Sequence, residues 1–169
     1  MTDPFDHVAN FDSARFRQVL GHFPTGVTVI ASAPPGQQPV GLAVGSFASA
    51  SLDPPLVVFF PDRASTSWPV IRDAGVFCVN ILAADQEDVC RVFASKGADK
   101  FRGVGWHPTA TGSPIIADAL AWIDCRIEDV HDAGDHYLVV GRVLDLGVLR
   151  DGAGGPLVFY RGGYGRFVP

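Results

Sequence analysis

Glycine and proline cut this chain into short apolar runs, and few of those runs have the spacing or the length of a helix. β-branched alternation appears in Gly26-Val27-Thr28-Val29-Ile30-Ala31. A Pro34-Pro35-Gly36 turn follows, and a second short strand near Val40 is expected to close a hairpin. Phe47 to Leu52 alternates apolar with small polar residues until Asp53-Pro54-Pro55 stops it, and Leu56 to Phe60 then reads as a fully buried strand. Val76 to Leu82 is a further strand candidate. In the last third Ile123, Cys125 and Ile127 face opposite Asp124, Arg126 and Glu128, before strands at Tyr137 to Val143 and Leu157 to Tyr160.

Helical signals are scarcer. Phe16, Val19, Leu20 and Phe23 recur at helical spacing behind a cap at Phe11-Asp12-Ser13, and Pro24 ends the pattern. Ser65-Thr66-Ser67-Trp68-Pro69 starts a short helix that should end near Gly75, and Asp85 is expected to cap a helix with Val89, Cys90 and Phe93 on one face. Ser95 to Thr111, with Lys96, Lys100 and Arg102 among glycines, reads as a long loop of the kind that carries function. About seven or eight strands, two or three helices and no strand-helix alternation argue against a doubly wound parallel sheet. A mainly β fold with peripheral helices, closed into an antiparallel barrel, is expected. No Gly-x-Gly-x-x-Gly opens a helix, so any nucleotide is bound without the Rossmann device.

At 169 residues the chain fits one domain, expected over residues 11–169 behind a flexible tail at residues 1–10. Its 47% hydrophobic and 18% charged residues leave an apolar surplus for a subunit interface or a ligand cleft. The net charge of −5, with no two basic residues adjacent, gives nucleic acid no counterion-release site. No apolar segment approaches the roughly 20 residues that span a bilayer. Met1 to Asn10, with Asp3 and Asp6, lacks the basic-then-apolar start of a secretory signal, so a cytoplasmic location is expected. Cys78, Cys90 and Cys125 stand apart inside apolar runs and read as reduced core residues. No Ser/His/Asp set, metal-ligand cluster or close carboxylate pair stands out, which disfavours hydrolysis and leaves no metal site.

Four stretches are open to more than one reading. Gly41-Leu42-Ala43-Val44-Gly45-Ser46-Phe47-Ala48-Ser49 sets glycines and small residues among apolar ones, which suits either a bulged barrel corner or a wall that a flat ligand approaches closely. Arg63 with Ser65-Thr66-Ser67 is either an ordinary helix cap or a phosphate site. Gly134-Asp135-His136 puts a histidine on the barrel rim. Tyr160-Arg161-Gly162-Gly163-Tyr164-Gly165 is a turn with strand aromatics or part of a nucleotide platform.

These stretches fall in a fixed order with others. Phe23-Pro24-Thr25-Gly26-Val27-Thr28 comes first, then Gly41 to Ser49 with Ser51-Leu52-Asp53-Pro54-Pro55-Leu56-Val57. Phe77 to Leu82, Asp99-Lys100-Phe101, Gly134-Asp135-His136 and Tyr160 to Tyr164 complete the series. In this the chain resembles the flavin reductase-like family with the FMN-binding split-barrel fold, from about Phe16 to Phe167. It is most similar to reductase components of two-component flavin-dependent monooxygenases, among them those serving hydroxylases of phenolic or steroid-derived rings and those called nitrilotriacetate monooxygenase component B.

The resemblance implies an antiparallel split β-barrel that works as a homodimer, binds FMN or FAD near the subunit interface and takes a hydride from NADH. NADPH stays open because Arg161 and Arg166 lie close in sequence. By position, Gly41, Leu42, Ala43, Val44, Gly45, Ser46 and Ser49 would line the isoalloxazine. Arg63, Ser65, Thr66 and Ser67 would flank the phosphate end, Phe60 and Pro61 are further cofactor-binding candidates, and Lys100 and Phe101 would lie over the flavin. His136 and Tyr164 match the nicotinamide side, and Thr25 a position near the reacting ring edge; Thr25 and His136 are the catalytic candidates. Many relatives carry Thr and Asn where this chain has Ala43 and Gly45. Recognition is therefore expected to rest on backbone groups, Ser46 and Ser49, a loose grip suited to a diffusible flavin reduced for a separate monooxygenase. Hydride transfer needs only nicotinamide C4 held about 3 to 3.5 Å from flavin N5 in a dry pocket. The alternatives are a flavin carrier that consumes no NADH, or a flavin-retaining oxidase or oxygenase that purifies yellow.

Overall fold

The computed structural model describes residues 11–97, 99–151 and 154–168, so the tail expected at residues 1–10 lies outside the described residues. In chain order the strands are β1 (Thr25–Gly26), β2 (Thr28–Ser32), β3 (Val40–Val44), β4 (Ala48–Leu52), β5 (Pro55–Phe59), β6 (Val76–Ile81), β7 (Trp106–Pro108), β8 (Pro114–Ile116), β9 (Ala121–Ala133), β10 (His136–Val148), β11 (Leu157–Tyr160) and β12 (Gly163–Arg166). The helices are α1 (Ser13–Leu20), α2 (Trp68–Ala74) and α3 (Glu87–Ala94). The run read as one strand from Gly26 changes sheets at Val27. β1 joins a small sheet of order β1-β11-β12, and β2 joins a seven-stranded antiparallel sheet of order β3-β2-β6-β9-β10-β5-β4.

That order fixes the shape of the large sheet. β3 and β4 are its two edges, yet only Gly45, Ser46 and Phe47 lie between them. Four chain steps reach about 14 Å, at roughly 3.5 Å each. A flat sheet would part its edges by six spacings of about 4.8 Å, roughly 29 Å. The sheet must therefore roll until its edges nearly meet. No ladder joins β3 to β4, so the closed barrel expected from strand count is corrected to a split one, its seam crossed by the Gly45 to Phe47 link. The Ser46 hydroxyl ties this link to the end of β5, accepting from Phe60 N at 3.2 Å and donating to Phe60 O at 3.3 Å.

β2 is buried on both faces because it separates two apolar clusters. Ile30 joins Phe59, Phe77 and the α2 residues Trp68 and Ile71. Val29 and Ala31 join Cys90 and Phe93 of α3, with Phe101, Ile116 and Leu157. All three cysteines are free and buried. Buried Asn80 ties these layers together, donating to Val29 O and Pro114 O and accepting from Ile116 N at 2.7 Å.

Other local expectations change for identifiable reasons. β5 buries only Val57 and Phe59, since β4 beside it is an exposed edge. Asp124 is fully buried, its carboxylate accepting from the Thr111 amide and hydroxyl at 3.2 and 2.6 Å. The loop at Ser95 to Thr111 contains β7, which pairs with β8. α3 begins at Glu87 because Asp85 is taken by Arg150 at 2.9 Å, and Gln86 bonds Ala83 N and Ala117 O with its side chain. α1 is capped by Asp12 as read, but it buries no residue: Phe16, Val19 and Leu20 are all exposed.

Candidate active site

The seam opens into a cleft of about 400 Å³, within the size range of small-molecule sites. One wall is Leu42 to Ser46, from the end of β3 and the link. Opposite lie Phe60, Asp62, Ala64, Ser65 and Thr66; the end of α3 contributes Phe93 to Lys96, and Lys100 and His136 complete the lining. A second cavity of about 420 Å³ adjoins it, sharing Thr66, Lys96 and Lys100 and adding Val40, Gly41, Ser67 and Gly97.

The glycines of the wall admit neighbours from behind. A Cβ on Gly41 would lie 2.7 Å from the Phe93 ring, and one on Gly45 would lie 2.7 Å from Thr25 Oγ1. Gly41 thus lets α3 press against β3, and Gly45 lets Thr25 pack against the link. The Thr25 hydroxyl is buried there without a hydrogen-bond partner, and it does not line the cleft.

Lys100 carries the electrostatics. Its ammonium is buried between Gly41 O at 3.2 Å and Phe93 O at 3.0 Å, and burial lowers its pKa. No described carboxylate pairs with it. A buried cation needs compensation, and an ammonium has three donors, so this group suits an anionic ligand reaching either cavity. The flavin phosphate implied by the sequence fits that donor set.

His136 stands on the rim at the start of β10. Its Nδ1 lies 2.7 Å from the Asp135 carboxylate, which accepts a hydrogen bond from the ring and leaves Nε2 for a ligand. The same contact holds the Asp135 carboxyl below its usual range. Ser65 Oγ accepts from Trp68 N at 3.2 Å and so caps α2, while Ser67, at the cap position, makes no side-chain cap bond.

Other expected positions lie off the main cleft. Ser49 sits on exposed β4 opposite Val57. Pro61 offers its carbonyl to Tyr137 N at 3.0 Å, and Phe101 is buried against Phe93 with ring centres 4.9 Å apart. Arg63 turns its guanidinium to Gly134 and Asp132. Tyr164 lies behind the wall, on a cavity of about 150 Å³ that also touches Ala43, Val44 and Gly45. Its hydroxyl shares a hydrogen bond of 3.3 Å with the Cys90 thiol, and that contact, with burial, pushes Tyr164 up to about 12. Sequence reasoning missed Asp62, Ala64 and the α3 terminus from Phe93 to Lys96. Lys96 was visible only as one cation in a loop.

A rolled, unclosed antiparallel sheet with a cation-bearing cleft at its seam defines the class of split barrels. Residues 20–167 match the family profile described as Flavin reductase like domain. A flavin reductase of Pseudomonas putida is 53% identical over 157 residues, covering 93% of this chain and 91% of that one. The crystal structure of a nitrilotriacetate monooxygenase component B homologue from Mycobacterium thermoresistibile superposes with TM-score 0.88 at 50% identity, covering 92% of this chain and 87% of the other. The NADH:FAD oxidoreductase SgcE6 of Streptomyces globisporus, solved in complex with NAD and FAD fragments, has TM-score 0.86 at 34% identity, covering 94% of each chain. The chain belongs to the flavin reductase like family.

Proposed function

We propose that this chain is the reductase component of a two-component system, reducing a flavin with NAD(P)H for a separate monooxygenase. The observation that carries the reading is Lys100, a buried ammonium without a carboxylate, set where the two seam cavities meet. The bound cofactors supply the chemistry, a hydride passing from nicotinamide C4 to flavin N5. The protein's part is to bind, align and exclude water. Leu42 to Ser46 present a flat wall with backbone donors, Lys100, Ser65 and Thr66 face the anionic end, and His136 offers Nε2 to the nicotinamide side.

FMN or FAD is the flavin, and the adjoining cavity with its shared lysines gives room for the longer dinucleotide. Neither Arg161 nor Arg166 lines the cleft with His136, which favours NADH over NADPH. A homodimer accounts for the uncovered face of α1, where Phe16, Val19 and Leu20 are about half exposed or more, at 49%, 59% and 55%. Free buried thiols suit a reducing cytoplasm, and no described helix is long and apolar enough to cross a membrane. Steady-state NADH and NADPH oxidation with each of FMN and FAD tests the reading. A flavin-dependent rate above the protein-free control is expected, with protein that purifies largely colourless. Flavin binding without nicotinamide oxidation would instead indicate a carrier.

A further inference from the structure

We propose that Arg63 is a positioning residue that aims His136 at the cleft, and is not the ligand of the flavin phosphate; this rests on the reductase reading above. From Asp62 to Thr66, Arg63 is the one residue that does not line the cleft. Its side chain runs to the tip of the β9–β10 hairpin. There Nε donates to Gly134 O at 2.8 Å, a terminal nitrogen pairs with the Asp132 carboxylate, and the guanidinium carbon lies 4.5 Å from the Tyr137 ring centre. One side chain thus touches the hairpin before its turn, within it and after it. His136 sits between these contacts.

The backbone repeats the stitch. Arg63 N donates to Asp135 O at 3.0 Å, Tyr137 N donates to Pro61 O at 3.0 Å, and Asp62 bridges His136. Pairing of Ala133 with His136 sets the register of the tip. Its angle over the cleft is set by the Pro61 to Arg63 segment. The Arg63 and Asp132 side chains are 39% and 79% exposed, so their ion pair adds little to stability. Its consequence is orientation. A planar fork that bonds in two directions and stacks on a ring does this, whereas a lysine ammonium offers only a point charge.

The test compares wild type with Arg63→Ala, Arg63→Lys and Asp132→Asn. It reads the KM for NADH, kcat, the thermal midpoint, and the affinity for FMN and for riboflavin, which lacks the phosphate. A misaimed histidine should raise the KM for NADH roughly tenfold in Arg63→Ala, with kcat, thermal midpoint and both flavin affinities unchanged. Arg63→Lys should keep most of the rise, and Asp132→Asn should show a smaller one. Weakened FMN binding with riboflavin unaffected would make Arg63 a phosphate ligand and overturn the proposal. So would an unchanged KM, or full recovery in Arg63→Lys. If wild type oxidises no NADH the reductase reading fails by itself, and the FMN and riboflavin arms still decide whether Arg63 holds the phosphate.

Discussion

The two sides of the cleft are built on different physics. The β3 wall is fixed by close packing: Gly41 lies under the Phe93 ring, Gly45 against Thr25, and Lys100 is buried between two carbonyls. The hairpin rim is fixed by polar contacts at the surface, His136 to Asp135 and Arg63 to Asp132, with much of each side chain in solvent. A packed wall cannot change shape without cost, whereas an exposed rim can be re-aimed with little loss of stability. The wall should therefore govern flavin binding and folding together. The rim should govern the nicotinamide alone.

The strongest way to break this division is Gly41→Val. A side chain there meets the Phe93 ring and, at 3.2 Å, Ile30 O, and overpacking of this kind costs about 1–3 kcal/mol. Chemical denaturation should show that loss, and flavin binding should disappear with it. Lys100→Met keeps the stem and removes the charge. Flavin affinity should fall roughly ten- to a hundredfold, the range for a lost charge-assisted bond, while stability falls less than in Gly41→Val, because the bonds to Gly41 O and Phe93 O are lost together with the cost of burying a charge without a carboxylate.

The pH dependence of Lys100 follows from its lowered pKa. Between the folded value and the ordinary lysine value the unfolded chain holds more protons, so this residue's contribution to stability rises with pH there. Flavin affinity should fall over the same window as the ammonium loses its charge. Both slopes should be missing from Lys100→Met.

On the rim, His136→Ala should raise the KM for NADH severalfold with flavin affinity unchanged; equal effects on both would dissolve the distinction between wall and rim. The smallest effect is expected from Ser46→Ala. Its bonds to Phe60 are long and near the surface, so the loss should stay below about 1 kcal/mol and appear mainly as looser flavin binding.

The same contrast explains what could be read from sequence. The proline-stopped pair β4–β5, the Pro34-Pro35-Gly36 hairpin, the Asp12 cap and β11 announce themselves through local chemistry, because a turn or a cap needs only neighbouring residues. The sheet change at Val27, the β7–β8 pairing and the seam depend on partners far along the chain. At the site, Leu42 to Ser46, Ser65, Thr66, Lys100 and His136 meet in one cleft. The resemblance gave positions but not side-chain directions. Arg63 is the clearest case, since its anionic partner Asp132 is distant in sequence. Ser46 is another: its hydroxyl is spent on Phe60, which shifts expected flavin contacts toward backbone groups.

The proposed function requires the seam cleft to hold a flavin where NADH can reduce it, with Lys100 supplying the anchoring charge. Anaerobic mixing of the protein with flavin and NADH, followed at the flavin absorbance, tests this most directly. Bleaching is expected at a rate that saturates with NADH, with Lys100→Met needing far more flavin to reach it. Bleaching no faster than without protein, or at the same flavin concentration in Lys100→Met, would contradict it.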